Sequence, residues 1–298
     1  MNEPHWHVLG AGAMGCLFAS ALYRSGCATT LLLRDAAGQS STPVVVENNG
    51  ARREAQLCVS ATADNTAITH LLVTTKAYDA RNAVADVAHR LDNRSQLLLL
   101  VNGMGLAEEL HGDQPALNIY CGTTTEGAYS VAPRHICHAG TGQTRIGRAG
   151  QKEPAPWFGQ WSRAIENCTW DAAIDQALWL KLAINCAINP LTALHDCRNG
   201  ELARREPLAR EVAALCDEIA RISRAAGFED TAATLEQAIS AVIAGTADNH
   251  SSMLQDVRAG RRTEIDYITG YLLATARRHG IAAPHNTSLL ESIHNIDR

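Results

Sequence analysis

The sequence predicts an α/β protein: an N-terminal parallel-sheet domain over residues 1–171, followed by an all-helical C-terminal domain over 172–298. Three observations carry that prediction. A glycine turn, "GAGAMG" at 10–15, stands between an apolar run and a helix-like run. Short β-like runs alternate with helical stretches through the first half, the pattern of a parallel sheet with crossover helices. From about Asp175 onward the chain becomes alanine- and leucine-rich at helical spacing, with almost no strand signal.

Composition narrows the function classes. The 298 residues suffice for two domains with a substantial core, and 46% hydrophobic against 19% charged residues is ordinary globular composition. A net charge of −5 lacks the basic footprint that a phosphate backbone selects, so no nucleic-acid partner is expected. The nine cysteines are odd in number, scattered and free of any CxxC, which argues against a disulfide framework or a zinc site and fits a reducing cytoplasm. "HICH" at 135–138 has metal-ligand character but no matching partner motif, so no metal is expected. "MNEPHWHV" has no basic n-region of a signal peptide, and no window reaches the roughly 18 unbroken apolar residues of a membrane helix, so no membrane partner is expected either.

In chain order the candidate strands are "HWHVL" (5–9), "TTLLL" (29–33), "HLLVTT" (70–75), "QLLLLV" (96–101) and "LNIYC" (117–121). They run into the turns "GAGAMG", "RDAAG", "KAYD", "NGMG" and "GTTTEG", which a parallel sheet gathers at its carboxyl edge, where ligands bind. A Gly/Pro-rich loop, "GRAGQKEPAP" at 147–156, precedes one more helix and the strand-like "ENCTW".

The turn of Gly10, Ala11, Gly12, Ala13, Met14 and Gly15 matches a Rossmann-type dinucleotide site. That site needs one glycine for the tight turn, one where backbone meets pyrophosphate, and one where helix packs on strand. The free N–H groups of the following helix then face the phosphates. At the end of the second strand Arg34 suits the 2′-phosphate of NADPH, while the adjacent Asp35 leaves NAD open. A solvated Arg–Asp pair on a loop is the plainer reading of the same two residues.

In "DQALWLKLAINCAINPLTAL" (175–194), Lys181, Asn185 and Asn189 recur at i, i+4 and i+8, along one face of an apolar helix. Such a stripe costs desolvation unless a partner meets it, and a polar substrate would be one. The alternative is an amphipathic helix whose lysine reaches water while the asparagines bridge loops. Pro190 is expected to kink or end the helix just below the stripe. "DNHSSMLQDVRAGRRTEIDYITG" (248–270) again sets small hydroxyls and a lone acid, Glu264, among helix-forming residues, which suggests a shared site.

Together "GAGAMG", "KAYD" after a strand, "NGMG", "GTTTEGA", "KLAINCAINPLTAL" with "NGEL" after it, and "SSMLQDVRAGRRTEIDYITG" resemble the ketopantoate reductase family from residue 8 to about 270. The resemblance implies a Rossmann domain, a helical domain and a substrate cleft between them. It implies NADPH as cofactor and reduction of a small-molecule 2-oxo acid, 2-dehydropantoate, to (R)-pantoate on the way to pantothenate and coenzyme A. Carried onto this sequence, it makes Lys181 the general acid and Glu264 its carboxylate partner. It gives substrate contacts to Asn102, Lys181, Asn185, Asn189, Asn199 and Ser252, and cofactor contacts to the glycine turn, Arg34, Lys76 and Asn102. Glu126 in "GTTTEGA" departs from what an anionic ligand wants nearby, so it is expected to point away. Two alternatives stay open: a reductase of another 2-oxo acid on the same scaffold, and a catalytically silent NADP(H)-sensing protein. A homodimer also stays open.

Overall fold

The computed structural model describes residues 4–36 and 38–297. The start of the "MNEPHWHV" stretch, Ala37 of the "RDAAG" turn and Arg298 lie outside the described residues. Contacts divide the chain into two compact units, one running through Val101 and resuming over Leu106–Ile174, the other made of Asn102–Gly105 and the chain from Asp175 on.

The first unit runs β1 (Trp6–Leu9), α1 (Ala13–Arg24), β2 (Thr29–Leu33), β3 (Ser41–Asn48), β4 (Ala51–Ala61), β5 (His70–Val73), α2 (Ala77–Asp86) and β6 (Gln96–Leu99). It continues with α3 (Leu106–Asp113), β7 (Asn118–Thr124), β8 (Gly127–Ala132), β9 (His135–Gly140), β10 (Thr144–Gly147), α4 (Phe158–Ala164) and β11 (Cys168–Trp170). The strands join one sheet in the order β11-β10-β7-β6-β5-β1-β2-β4-β3-β9-β8. Its centre, β2-β1-β5-β6-β7, is wholly parallel.

Both faces of that centre are buried, which is why its strands read as near-continuous apolar runs. Trp6, Val8, Leu31, Leu72 and Leu98 face a core shared with α1 and α4. Leu9, Leu32, Leu71, Val73, Leu97 and Leu99 face a second core shared with α2 and α3. Trp6 meets Trp157 and Trp161 edge-on, each at 5.2 Å between ring centroids.

The structure adds strands that the sequence reading passed over. β3 and β4 form a hairpin whose two turn residues, Asn49 (φ 47°) and Gly50 (φ 79°), both take positive φ, as a two-residue hairpin turn of that type requires. β8, β9 and β10 likewise lie in a stretch, between "GTTTEG" and "GRAGQKEPAP", for which the sequence reading names no element. The expected strands at 70–75 and 96–101 stop at Val73 and Leu99, and the one at 117–121 runs on to Thr124.

In the second unit α5 (Ile174–Leu194) leads to α6 (Glu201–Arg204), α7 (Glu206–Ala225), α8 (Glu229–Gly245), α9 (Ser252–Arg258), α10 (Tyr271–Arg278) and α11 (Pro284–Ile296), with a π-helical turn at Asp266–Gly270. Trp179, Leu182, Ala183, Cys186, Ala187 and Leu191 of α5 pack with Leu215, Ile219 and Ile222 of α7 and Leu235 and Ile239 of α8. Trp179 stacks on Phe228 at 4.4 Å and donates to Ser223 Oγ at 2.9 Å. Alone among helices of the described residues, α5 has the length and apolarity to cross a membrane, and most of its apolar stretch is buried inside this unit.

Of the two outcomes expected at Pro190, a kink or an end, the end does not occur: the helix runs on to Leu194. Proline removes the bond to the Cys186 carbonyl. Core packing of Leu191 and Ala193 compensates, and the Thr192 hydroxyl lies 2.9 Å from Asn189 O and 2.7 Å from Ser251 Oγ.

Candidate active site

In the first unit the site begins with backbone. Gly10 takes φ +111°, and a Cβ there would sit 2.7 Å from Thr75 N, so only glycine fits. A Cβ on Gly15 would collide with Gly10 O, which lets α1 pack directly on the end of β1. Gly12 differs from both. It precedes α1 at an ordinary φ of −82°, it is exposed, and a Cβ there would meet nothing within 4 Å. The fold supplies no reason for glycine at 12, whereas a ligand resting on the start of α1 does. Ala11, Ala13 and Met14 are half-buried against the core shared with α1.

Thr74 and Thr75, just past β5, hold this turn. Thr74 Oγ1 donates to Gly10 O at 2.9 Å. Thr75 Oγ1 is buried with no partner among the described residues. Sequence reasoning had absorbed both threonines into the strand "HLLVTT", and their place directly after it was the only signal that could have found them. A pocket of about 220 Å³ opens here, lined by Gly10, Leu32, Arg34, Thr62, Thr75 and α2, and Arg34 is exposed at its wall. Lys76, half-buried, occupies the position before α2 with extended backbone. These features suit one end of a dinucleotide: an uncrowded helix start, an orphaned hydroxyl and a cation.

Glu126 is taken up within the same unit. His138 Nε2 lies 2.6 Å from Glu126 Oε2, His138 Nδ1 lies 3.0 Å from Asn48 Nδ2, and the Glu126 side chain is only 6% exposed. The other histidine of "HICH", His135, lies 2.8 Å from Glu47 Oε1.

In the second unit the site is built from side chains. Lys181 and Asn185 are half-buried on α5, and Asn189 is buried one turn further on. Glu264 is 5% exposed, at the approach to the π-helical turn. Burial pushes the Lys181 ammonium down to about 8, against the neighbouring Glu264 carboxylate, which pulls it up. Asn102 joins them, donating from Nδ2 to Glu264 Oε2 at 3.2 Å.

The tetrapeptide carrying Asn102 is seated on the π-helical turn by backbone. Met104 N donates to Tyr267 O at 3.0 Å, and Gly103 (φ +85°) lies so close that a Cβ would collide with Tyr267 O. The structure therefore brings Lys181, Glu264 and Asn102 together, although Asn102 and Glu264 stand 162 positions apart in the chain.

Other expected residues sit at the margins. Asn199 is 7% exposed, donates to Thr246 Oγ1 at 2.8 Å and has its Oδ1 buried with no partner among the described residues. Ser252 is exposed at the first position of α9. Its neighbour Ser251 is buried and committed, accepting from Leu254 N at 3.1 Å to cap that helix and meeting Thr192 at 2.7 Å.

Two family models match this chain: one described as ketopantoate reductase PanE/ApbA over residues 6–151, and its C-terminal counterpart over 173–297. The 2-dehydropantoate 2-reductase of Shigella flexneri is 40% identical, over 96% of this chain and 93% of that one. That of Vibrio cholerae serotype O1 is 36% identical, over 98% and 97%. Among solved structures, a PanE/ApbA family ketopantoate reductase from Ralstonia eutropha JMP134 superposes with a TM-score of 0.86 at 25% identity, covering 98% of both chains.

Proposed function

This chain belongs to the ketopantoate reductase family, and from that premise we propose that it reduces 2-dehydropantoate to (R)-pantoate with NADPH, a step toward pantothenate and coenzyme A. The observation that carries the reading is the half-buried lysine whose pKa lies near 8 beside a buried carboxylate and an amide donor.

When bound, the nicotinamide supplies the hydride. Everything else falls to the chain. Negative charge grows on the ketone oxygen, and Lys181 meets that charge and delivers the proton, its pKa set close to working pH by burial. Glu264 keeps enough of the ammonium form present to act, and Asn102 holds the carboxylate by donating to one of its oxygens. Asn185 and Asn189, further along the same helix face, offer neutral amides to the substrate carboxylate and hydroxyl. Ser252 is assigned to the substrate carboxylate, since the Ser251 hydroxyl is used by its helix cap and by Thr192.

On the cofactor side the glycine turn takes the pyrophosphate, Arg34 takes the 2′-phosphate, and Lys76 is a further cofactor contact. Gly12, a glycine without a structural reason, supports this most directly.

The test is NADPH oxidation by the purified protein, with 2-dehydropantoate beside a panel of unhydroxylated and bulkier 2-oxo acids. The expected result is a specificity constant highest for 2-dehydropantoate by a wide margin. A different winner keeps the mechanism and removes the pantothenate assignment; cofactor binding without turnover on any of them removes the enzyme reading.

A further inference from the structure

Glu264 meets Lys181 from a segment with little regular structure of its own. Residues 261–264 lie between α9 and the π-helical turn and are neither helix nor strand. Thr263 in this segment is 1% exposed, so its backbone N–H and its hydroxyl both need partners. They share one. Thr263 donates to the Asp297 carboxylate from its backbone N at 3.3 Å and from Oγ1 at 2.7 Å.

Asp297 stands at the end of α11, where the negative end of the helix dipole disfavours an acid. Forming α11 therefore gives no reason for a carboxylate at 297, whereas the two Thr263 donors do. The helix that carries it is anchored elsewhere. At its start the buried Glu218 carboxylate of α7 accepts from His285 N at 2.8 Å and Asn286 N at 2.9 Å. Further along, Ile293 lies in the core that also holds Ile265 and Ile268. His294, three positions before Asp297 and so on the same helix face, lies 2.7 Å from Asp266 Oδ1. One helix thus holds the chain on both sides of Glu264, at Thr263 and at Asp266.

The pull of a carboxylate on a neighbouring ammonium falls with their separation, so Glu264 must be kept in place to act on Lys181. We propose that Asp297 is a positioning residue of this site: by binding Thr263 it sets the Glu264 carboxylate against Lys181. The His294–Asp266 contact is partly exposed on both sides and adds less. The inference rests on the reductase reading above and extends it to a residue that touches neither substrate nor cofactor.

The experiment compares wild type with Asp297→Ala, Thr263→Val, Glu264→Gln, the double variant Glu264→Gln with Asp297→Ala, and Glu291→Gln. Glu291 is exposed on α11, and its removal changes charge on that helix without touching the segment. The readouts are the pH profile of kcat with 2-dehydropantoate, the NADPH dissociation constant and the thermal midpoint. In Asp297→Ala the alkaline limb, where Lys181 loses its proton, is expected about half a pH unit lower, with about threefold less turnover on that side and NADPH affinity unchanged. Thr263→Val keeps the shape and the backbone bond, so part of the same shift is expected, and it decides the matter if Asp297→Ala does not fold. With Glu264→Gln already present, Asp297→Ala is expected to move the limb no further.

A limb that stays at its wild-type position in the Asp297 and Thr263 variants overturns the proposal even if the thermal midpoint falls. So does an equal shift from Glu291→Gln, or a full further shift in the double variant. If wild type reduces the oxo acid and Glu264→Gln moves the limb while the Asp297 and Thr263 variants leave it alone, the reductase reading stands and this inference alone falls. If wild type turns over no oxo acid, the reductase reading falls and takes the inference with it.

Discussion

The glycine turn after β1 is built from backbone, and the polar stripe on α5 is built from side chains. At the turn, specificity comes from missing atoms: Gly10 and Gly15 are required by Thr75, Thr74 and Gly10 O, and Gly12 leaves the start of α1 open. On α5 it comes from atoms added where they are costly, a lysine and two asparagines within a mainly apolar helix. Gly10 and Gly15 tolerate no side chain, while the stripe depends on which side chains its surroundings bury. The first therefore breaks by addition and the second by truncation.

The largest effect is expected from Lys181→Ala. Loss of a general acid lowers turnover by about a hundredfold to ten-thousandfold, and NADPH affinity should stay as in wild type. Steady-state kinetics with a separate binding titration checks both; normal turnover removes Lys181 from the mechanism.

Next come two glycines that look alike in sequence. Gly15→Ala drives a Cβ into Gly10 O and should cost about 3 kcal/mol of stability. Gly12→Ala has open space and should leave the thermal midpoint unchanged while weakening the dinucleotide about tenfold, or about 1.4 kcal/mol. Equal loss of stability in both variants would erase the distinction drawn between them.

Glu264→Gln sharpens the other side. Because Lys181 must be protonated to donate, the reduction rate should fall as pH rises through about 8. The Glu264 charge raises the lysine pKa, so its removal should move that alkaline limb to lower pH. A pH profile of kcat reads this directly, and a limb that stays in place would mean that Glu264 does not act through Lys181.

The smallest effect is expected from Thr74→Val, which removes a hydrogen bond to Gly10 O worth about 1 kcal/mol. A modest fall in thermal midpoint with a slightly raised NADPH dissociation constant would place Thr74 as the turn's support; unchanged values would not.

Legibility followed the range of the interactions. The central strands were readable because burial on both faces makes most of them near-continuous apolar runs. The β3–β4 hairpin had a local signal, Asn49–Gly50, that the alternation of strands and helices obscured. β8 is exposed along most of its length, so no apolar run marks it. Pro190 shows the opposite case, a local breaker that does not end its helix, since Leu191 and Ala193 beyond it pack in the core. Arg34, Lys76 and Gly12 could be named from position, whereas Thr75 became visible only when the fold set it on the wall of a pocket.

What the sequence by itself determined is whatever a short stretch can encode: the glycine turn, the burial of the central strands, and the face of α5 shared by Lys181, Asn185 and Asn189. Those depend on backbone geometry and on a helix repeat that needs no other part of the chain. Only the tertiary structure decided that Asn102–Gly105, lying between β6 and α3, belongs with the helical unit, and that Asn102 there meets Glu264. The same holds for Lys181, whose pKa falls to about 8 because burial outweighs the pull of Glu264. The balance between desolvation and a neighbouring charge depends on what surrounds the ammonium in space, and spacing along the chain does not record it.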